Sequence, residues 1–116
     1  MMSESDPYGV KPNTPGAKLD AGKSPVYQGL IDYFPRACQA VADVSHFGAK
    51  KYTWKGWETV PGGIERYSDA QLRHMLAECV DARYDPDSGL THAAHAAWNA
   101  LAVLELKLKR DFEVNE

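Results

Sequence analysis

"GLTHAAHAAWNALAVLELKLKR", residues 89–110, decides the fold. Within it Leu90, Ala94, Ala97, Leu101, Leu104 and Leu108 recur by fours and threes, the spacing that lines one face of a helix. The stretch predicts a helix from about Gly89 to Arg110 with this leucine stripe turned inward. At 100° per residue, His92, His95 and Asn99 fall within roughly 60° of one another on the opposite side. Ala96, Ala102, Val103 and Leu106 extend that second face, and ionic residues gather only from Glu105 onward. Both sides of the helix are therefore expected to be covered. A covered polar group without a partner costs about 1–3 kcal/mol, so a metal, a ligand or neighbouring side chains must meet these imidazoles.

Upstream, "YSDAQL" (67–72) carries a helix start signal, with Ser68 and Gln71 as a capping box and Tyr67 and Leu72 at staple positions. The helix beginning there is expected to bury Leu72, Met75, Leu76 and Cys79. An earlier helix should begin at Pro35, a good first helical residue, and stop at Phe47, with Gly48 free to take the left-handed position beyond it. Ala37, Val41 and Val44 would form its inward stripe. No alternation of period two competes with these patterns. The expectation is an all-α fold: a compact bundle of three main helices over 29–116, preceded by a polar, Pro/Gly-rich arm over 1–28, with a long aromatic and basic loop between the first two helices.

On the second helix His74, Glu78 and Asp81 cluster opposite the apolar residues, and the next loop brings Asp85, Asp87 and Ser88. A short connection makes the second and third helices antiparallel neighbours. Converging polar faces would let His74, Asp85, His92 and His95 surround a divalent cation, as facing helices of bundles do with His and carboxylates. The plainer alternatives are a solvated face on the second helix and hydrogen-bonded core histidines on the third. The loop "FGAKKYTWKGWETVPGG" (47–63) interleaves Lys50, Lys51 and Lys55 with Tyr52, Trp54 and Trp57. Cations for phosphate and flat rings for a base make a nucleotide-sized combination. Aromatic residues that only pin a long loop, with lysines left wet, are the competing reading.

"GAKLDAGKS" (16–24) approaches the Gly-x-x-x-x-Gly-Lys-Ser pattern of phosphate-binding loops. Its flanks argue against one: Pro7, Pro12 and Pro15 would break the preceding strand, and Pro25 disfavours helix at Ser24. The 116 residues suit one modest core. With 13 basic against 16 acidic residues and a formal charge of −3, a broad nucleic-acid-binding face is not expected. Small anionic ligands remain open. No apolar run reaches the roughly 20 residues of a membrane span, and the polar, acidic start does not read as a signal peptide. A cytoplasmic protein is expected, with Cys38 and Cys79 reduced.

Four segments, "GAKLDAGK", "FGAKKYTW", "RHMLAE" and "DPDSGLTHAAHAAWNALAVLEL", in this order, resemble the N-terminal domain of phage dATP/dGTP diphosphohydrolases, from Gly16 to Leu106. The resemblance implies an all-helical protein that acts on purine deoxynucleoside triphosphates with a divalent metal, releasing pyrophosphate and the monophosphate. The matching positions are Lys18, Asp20, Gly22, Lys23, Gly48, Lys51, Tyr52, Arg73, His74, Asp85, Ser88, Gly89, His92, His95 and Asn99. It makes "GAKLDAGKS" a family signature. The all-α nucleotide pyrophosphohydrolases, which such a domain distantly resembles, bind magnesium through Glu-x-x-Glu and Glu-x-x-Asp. This chain has one Glu-x-x-Asp, Glu78 and Asp81, and no Glu-x-x-Glu between Gly16 and Leu106 to pair with it. A His-rich set suits manganese, iron or zinc better than magnesium.

The site expected on this basis has His74 and Asp85 in catalytic roles and His74, Asp85, His92 and His95 as metal ligands for magnesium, manganese or another transition metal. Lys18, Asp20, Lys23, Lys51, Tyr52, Trp54, Trp57, Arg73, Ser88 and Asn99 would contact the nucleotide. A non-catalytic protein that sequesters a cyclic or other host nucleotide signal would need the same pocket without an attacking water. An interaction module with packing histidines is the third reading. A homo-oligomer is expected, because the long helix is apolar on two opposite sides. If phage-encoded, the protein would act in the host cytoplasm.

Overall fold

The computed structural model of the chain describes residues 4–80 and 82–114; Asp81, half of the single Glu-x-x-Asp, lies outside them. The fold is all-α, and the chain divides into two compact units, Met1–Phe34 and Pro35–Glu116.

The first unit is built from turns and one short helix. The Asp6 carboxylate accepts hydrogen bonds from the backbone N–H groups of Tyr8 (2.7 Å) and Lys18 (2.8 Å), which closes the arm on itself. The bond from Lys18 is the main cause that holds the Asp6 carboxyl below its usual range. Gly22 turns the chain at φ 77°, and the Lys23 N–H is taken by the Asp20 carbonyl at 3.1 Å. The chain then enters a π-helix, Tyr27–Asp32, and among the described residues of this unit no strand precedes the glycine. The phosphate-loop likeness of 16–24 therefore lacks the strand such a loop needs, and the helix that follows is one short π-helical stretch beyond Pro25 rather than an α-helix opening at the glycine.

In the second unit α1 spans Pro35–Lys51, α2 Gly63–Cys79 and α3 His92–Val114, with a 3₁₀ turn at Gly56–Thr59. Helix α3 packs along α2 and against α1. Helix α1 runs past Phe47, its expected end, because Gly48 is not left-handed and Ala49, Lys50 and Lys51 continue the helix. Two lysines in the last turn also complement the carbonyl end of its dipole. The turn falls later, at Lys55, with φ 63°.

Helix α2 starts five residues before the capping box. Pro61 and Gly62 end the loop, and Gly62 takes φ 65° at the cap. Ser68 is thus inside the helix, where its hydroxyl donates to the Ile64 carbonyl at 2.7 Å, and Tyr67 donates to the Trp57 carbonyl at 2.8 Å. Gly63 has a packing reason: a Cβ there would stand 3.0 Å from the Leu106 side chain of α3. Helix α3 begins at His92, three residues later than the pattern suggests. Gly89 (φ 74°) belongs to the preceding turn, and Thr91 caps the helix by accepting the Ala94 N–H at 3.1 Å.

The largest departure concerns which face of α3 is inside. His92, His95, Ala96, Asn99, Ala102 and Val103 are buried, whereas Leu101, Leu104 and Leu108 are each at least half exposed. On α2, Leu72, Met75, Leu76 and Cys79 are likewise not buried, and on α1 only Val44 of the expected stripe is buried. Small side chains explain the choice. Gly63, Ala96 and Ala102 let α2 and α3 approach closely, and the polar members of that face satisfy one another.

Candidate functional site

The connection from α2 to α3 sets up the polar cluster. Tyr84 and Thr91 form an isolated antiparallel bridge, with Asp85 N–H on the Leu90 carbonyl (2.8 Å) and His92 N–H on the Arg83 carbonyl (2.9 Å). Inside this loop the Asp85 carboxylate receives both the N–H (2.9 Å) and the hydroxyl (2.8 Å) of Ser88. The Ser88 hydroxyl also lies 2.7 Å from His95 Nε2, whose distance to the same carboxylate oxygen is 3.6 Å. The Ser88 and Gly89 N–H groups are thus already engaged, the latter by the Asp85 carbonyl at 2.8 Å.

His74 of α2 meets this group from across the hairpin. Its Nδ1 is 2.8 Å from His92 Nδ1, and its ring stacks on His95 at 4.6 Å between centroids. Burial, then the neighbouring His95 and His92, lower the His74 pKa; burial above all lowers that of His95, against the pull of Asp85. Both rings are thereby held neutral, the form that ligates metal or accepts a proton. For Asp85 burial pushes the other way, but the two bonds from Ser88 and the nearby His95 and His74 outweigh it, and its pKa is lowered. Asn99, 5% exposed, donates to the His95 carbonyl at 2.8 Å.

The donor set fits a divalent ion. His74, Asp85 and His92 each offer one ligand atom, and these lie within 4.8 Å of one another. Cis ligands on one ion at about 2.1 Å stand about 3 Å apart, close to the spacing of the two Nδ1 atoms. His95 flanks this set through Ser88 and Asp85. Two imidazoles and one carboxylate favour manganese, iron or zinc over magnesium.

A cleft of about 950 Å³ opens beside the cluster, lined by Lys51, Tyr52, Trp54, Trp57, Arg73, His74, Asp85, His95 and Asn99. Its size suits a nucleotide-sized ligand. Lys51 is paired with Asp87 at 2.8 Å, which raises its pKa, and its ammonium lies 5.5 Å from the centre of the Tyr52 ring. The two loop tryptophans part company. Trp54 is 70% exposed, whereas Trp57 packs edge-on against Tyr67 and Trp98 at 6.1 and 5.7 Å. Trp98, which sequence reasoning passed over, also donates to Ser45 Oγ at 2.9 Å and so ties α3 to α1. Its position on the flank of the histidine face, six residues after His92, was the available signal. Arg66, Asp69 and Asp87 also line the cleft and were not singled out as ligand contacts. Lys18, Asp20 and Lys23 belong to the first unit, where Lys23 lies 3.7 Å from Glu4.

An all-α unit with a histidine and carboxylate cluster at the edge of a basic, aromatic cleft is the class that fold and site define. A family model described as dATP/dGTP diphosphohydrolase, N-terminal, matches residues 13–115, and the chain belongs to that family. It is 43% identical over 82 residues, 71% of this chain, to a dATP/dGTP diphosphohydrolase of Salmonella phage PMBT28. The matched stretch is 26% of that relative's length. No solved structure matches the chain.

Proposed function

We propose that the protein is a metal-dependent hydrolase of purine deoxynucleoside triphosphates. Water adds at phosphorus, the bond to the bridging oxygen between the α and β phosphates breaks, and monophosphate and pyrophosphate leave. The observation that carries this reading is the convergence of the His74, Asp85 and His92 ligand atoms within 4.8 Å of one another beside a cleft holding Lys51 and Arg73. The name of the phage relative supplies the substrate class.

His74, Asp85 and His92 would hold the ion, with His95 oriented beside them by Ser88. When bound, the ion supplies Lewis acidity, neutralising phosphate charge and making water a competent nucleophile near neutral pH. The chain's own groups do the rest. Neutral His95, outside the ligand set and lining the cleft, accepts a proton at a ring nitrogen, and anionic Asp85, 3.6 Å away, stabilises the imidazolium that results. Lys51 and Arg73 line the cleft as cations for the triphosphate, Lys51 exchanging Asp87 for phosphate. Trp54 offers the free ring for the purine and Trp57 anchors the loop that carries it. Tyr52 and Asn99 complete the wall. The substrate is the free nucleotide of the cytoplasm; among the described residues no helix is long and apolar enough to cross a membrane. The protein works as a homo-oligomer, a reading supported by the outward leucines of α3.

Sequestration of a nucleotide signal is the second reading. One observation favours it: Glu78, the described half of the Glu-x-x-Asp, is exposed and does not line the cleft, so the carboxylate pairs of the distant pyrophosphohydrolases have no counterpart among the described residues there. His92→Gln separates the two. It keeps size and one hydrogen bond while weakening ligation. A hydrolase loses pyrophosphate release with its helical spectrum intact; turnover equal to the wild type would overturn the assignment of His92.

A further inference from the structure

The two ends of the cleft differ along α2. Its metal-binding end lies at the C-terminal turns of the helix, where His74 meets His92 and where Asp87 of the α2–α3 connection holds Lys51 at 2.8 Å. Its other end lies at the N-terminal turns, because the α1–α2 loop closes there: Trp57 packs against Tyr67 at 6.1 Å, and Arg66 Nη1 donates to the Pro61 carbonyl at 3.2 Å. Arg66, Asp69 and Arg73 recur by three and four residues, the spacing of one helix face, and all three line the cleft. Asp69 thus stands at the offsets where ion pairs form along a helix, with an arginine on either side. Its carboxylate nevertheless makes no ion pair or hydrogen bond among the described residues, and Arg66 is spent on the loop instead. An ionised carboxylate left without a protein partner on the wall of a ligand cleft is an acceptor available to the ligand.

We infer that Asp69 reads the base and selects guanine. The inference rests on the reading of the cleft as a site for purine deoxynucleoside triphosphates and narrows it to one base. Asp69 precedes His74 by five residues, a rise of about 7.5 Å along the helix, on the order of the separation between a nucleotide's α-phosphorus and its base. With the α-phosphate at the His74 end and the purine against Trp54, the base edge meets Asp69. An ionised carboxylate only accepts hydrogen bonds. Guanine offers it two adjacent donors, N1–H and the exocyclic N2 amino group, and the two carboxylate oxygens take both in charge-assisted bonds. Adenine offers an N6 amino group beside an N1 lone pair, so one bond forms and the lone pair faces the negative charge. Neither pyrimidine presents two adjacent donors on this edge. Arg66, one turn further from the metal-binding end, works in the same sense: its N–H groups not held by Pro61 donate to guanine O6, where adenine carries an amino group.

Titration calorimetry of the full chain with manganese and the α,β-methylene analogues of dGTP and dATP, which cannot be cut at that bridge, tests base selection apart from turnover. The wild type should bind the guanine analogue about 10–100-fold more tightly, the discrimination of one bidentate base contact. Asp69→Asn keeps the size and replaces one acceptor by a donor, so it should cancel that preference and favour adenine, its amide pairing with N6 and N1. Asp69→Ala should bring the two affinities together. The ratio is the readout, because loss of the charge affects both analogues alike. Asp69 is exposed, and both variants should keep the wild-type helical circular dichroism. Equal affinities in the wild type, or tighter binding of the adenine analogue, overturn the choice of guanine. A ratio unchanged in Asp69→Asn and Asp69→Ala overturns the role of Asp69. Guanine selectivity that disappears in these variants, in a protein that leaves natural triphosphates intact, upholds this inference and contradicts hydrolysis; turnover of dGTP and dATP with no selectivity does the reverse. Failure of both analogues to bind overturns both.

Discussion

The two tryptophans of the α1–α2 loop, three residues apart, should fail in different ways when truncated. Trp57 is only partly exposed and makes edge-on contacts with both Tyr67 and Trp98, while its carbonyl accepts the Tyr67 hydroxyl at 2.8 Å. Core Trp→Ala changes cost about 3–5 kcal/mol, and each aromatic pair adds about 0.5–1.5 kcal/mol beyond area. Discounted for the part of the ring that stays wet, Trp57→Ala should destabilise by about 2–4 kcal/mol, a fall in Tm of roughly 10 °C for a chain of this length. Trp54, at 70% exposure, has little burial to lose. Trp54→Ala should shift stability by no more than about 0.5 kcal/mol yet weaken nucleotide binding by about 1–3 kcal/mol, because a base has lost its stacking surface. Thermal unfolding and titration calorimetry on the same two proteins read both effects. If Trp57→Ala melts with the wild type, or if Trp54→Ala binds nucleotide undiminished, the division of labour in this loop is wrong.

Acidification should destabilise the protein through the buried imidazoles. The His74 and His95 pKa values are lowered in the folded state, so the unfolded chain binds more protons; this contribution to stability is intact above the ordinary histidine value of 6.5 and is lost as pH falls through the lowered folded values. Melting followed from pH 8 downward should show it, and His95→Gln should flatten the profile; a Tm that rises below pH 6.5 contradicts the burial argument. Ser88→Ala removes the hydroxyl shared by Asp85 and His95, and should lower manganese affinity by about 10–100-fold with the fold retained, checked by metal titration. Gly63→Val sets a branched side chain against Leu106 and Tyr67 and should cost about 1–3 kcal/mol in denaturant unfolding; a stability equal to the wild type would mean that α2 and α3 are not in close contact there.

Much of this architecture is legible in the sequence. The 3.6-residue periods locate three helices, Pro35 marks the start of α1, and the shared face of His92, His95 and Asn99 follows from helical geometry alone. The resemblance carried by Lys51, Arg73, His74, Asp85 and the His92–Asn99 run points to the cleft. What could not be read is which face of α3 turns inward, because a leucine row and an alanine-histidine row are both plausible cores by periodicity. Close approach decided it, at Gly63 against Leu106, and that depends on two segments far apart in the chain. The capping box at Ser68 was misleading for a related reason: the helix it would start is already under way from the Gly62 turn, so a local signal yields to the loop that precedes it. The different fates of Trp54 and Trp57 rest on Trp98, one further contact that spacing within the loop does not reveal.

Chromatography of nucleotides after incubation with the wild-type protein tests the central claim most directly. With dATP or dGTP and manganese, the triphosphate should disappear and monophosphate and pyrophosphate should appear in equal amounts, and chelation of the metal should stop it. Purine deoxynucleoside triphosphates returned chemically intact with every divalent metal, from a protein that binds nucleotide tightly, would contradict hydrolysis and make the cleft a site of capture.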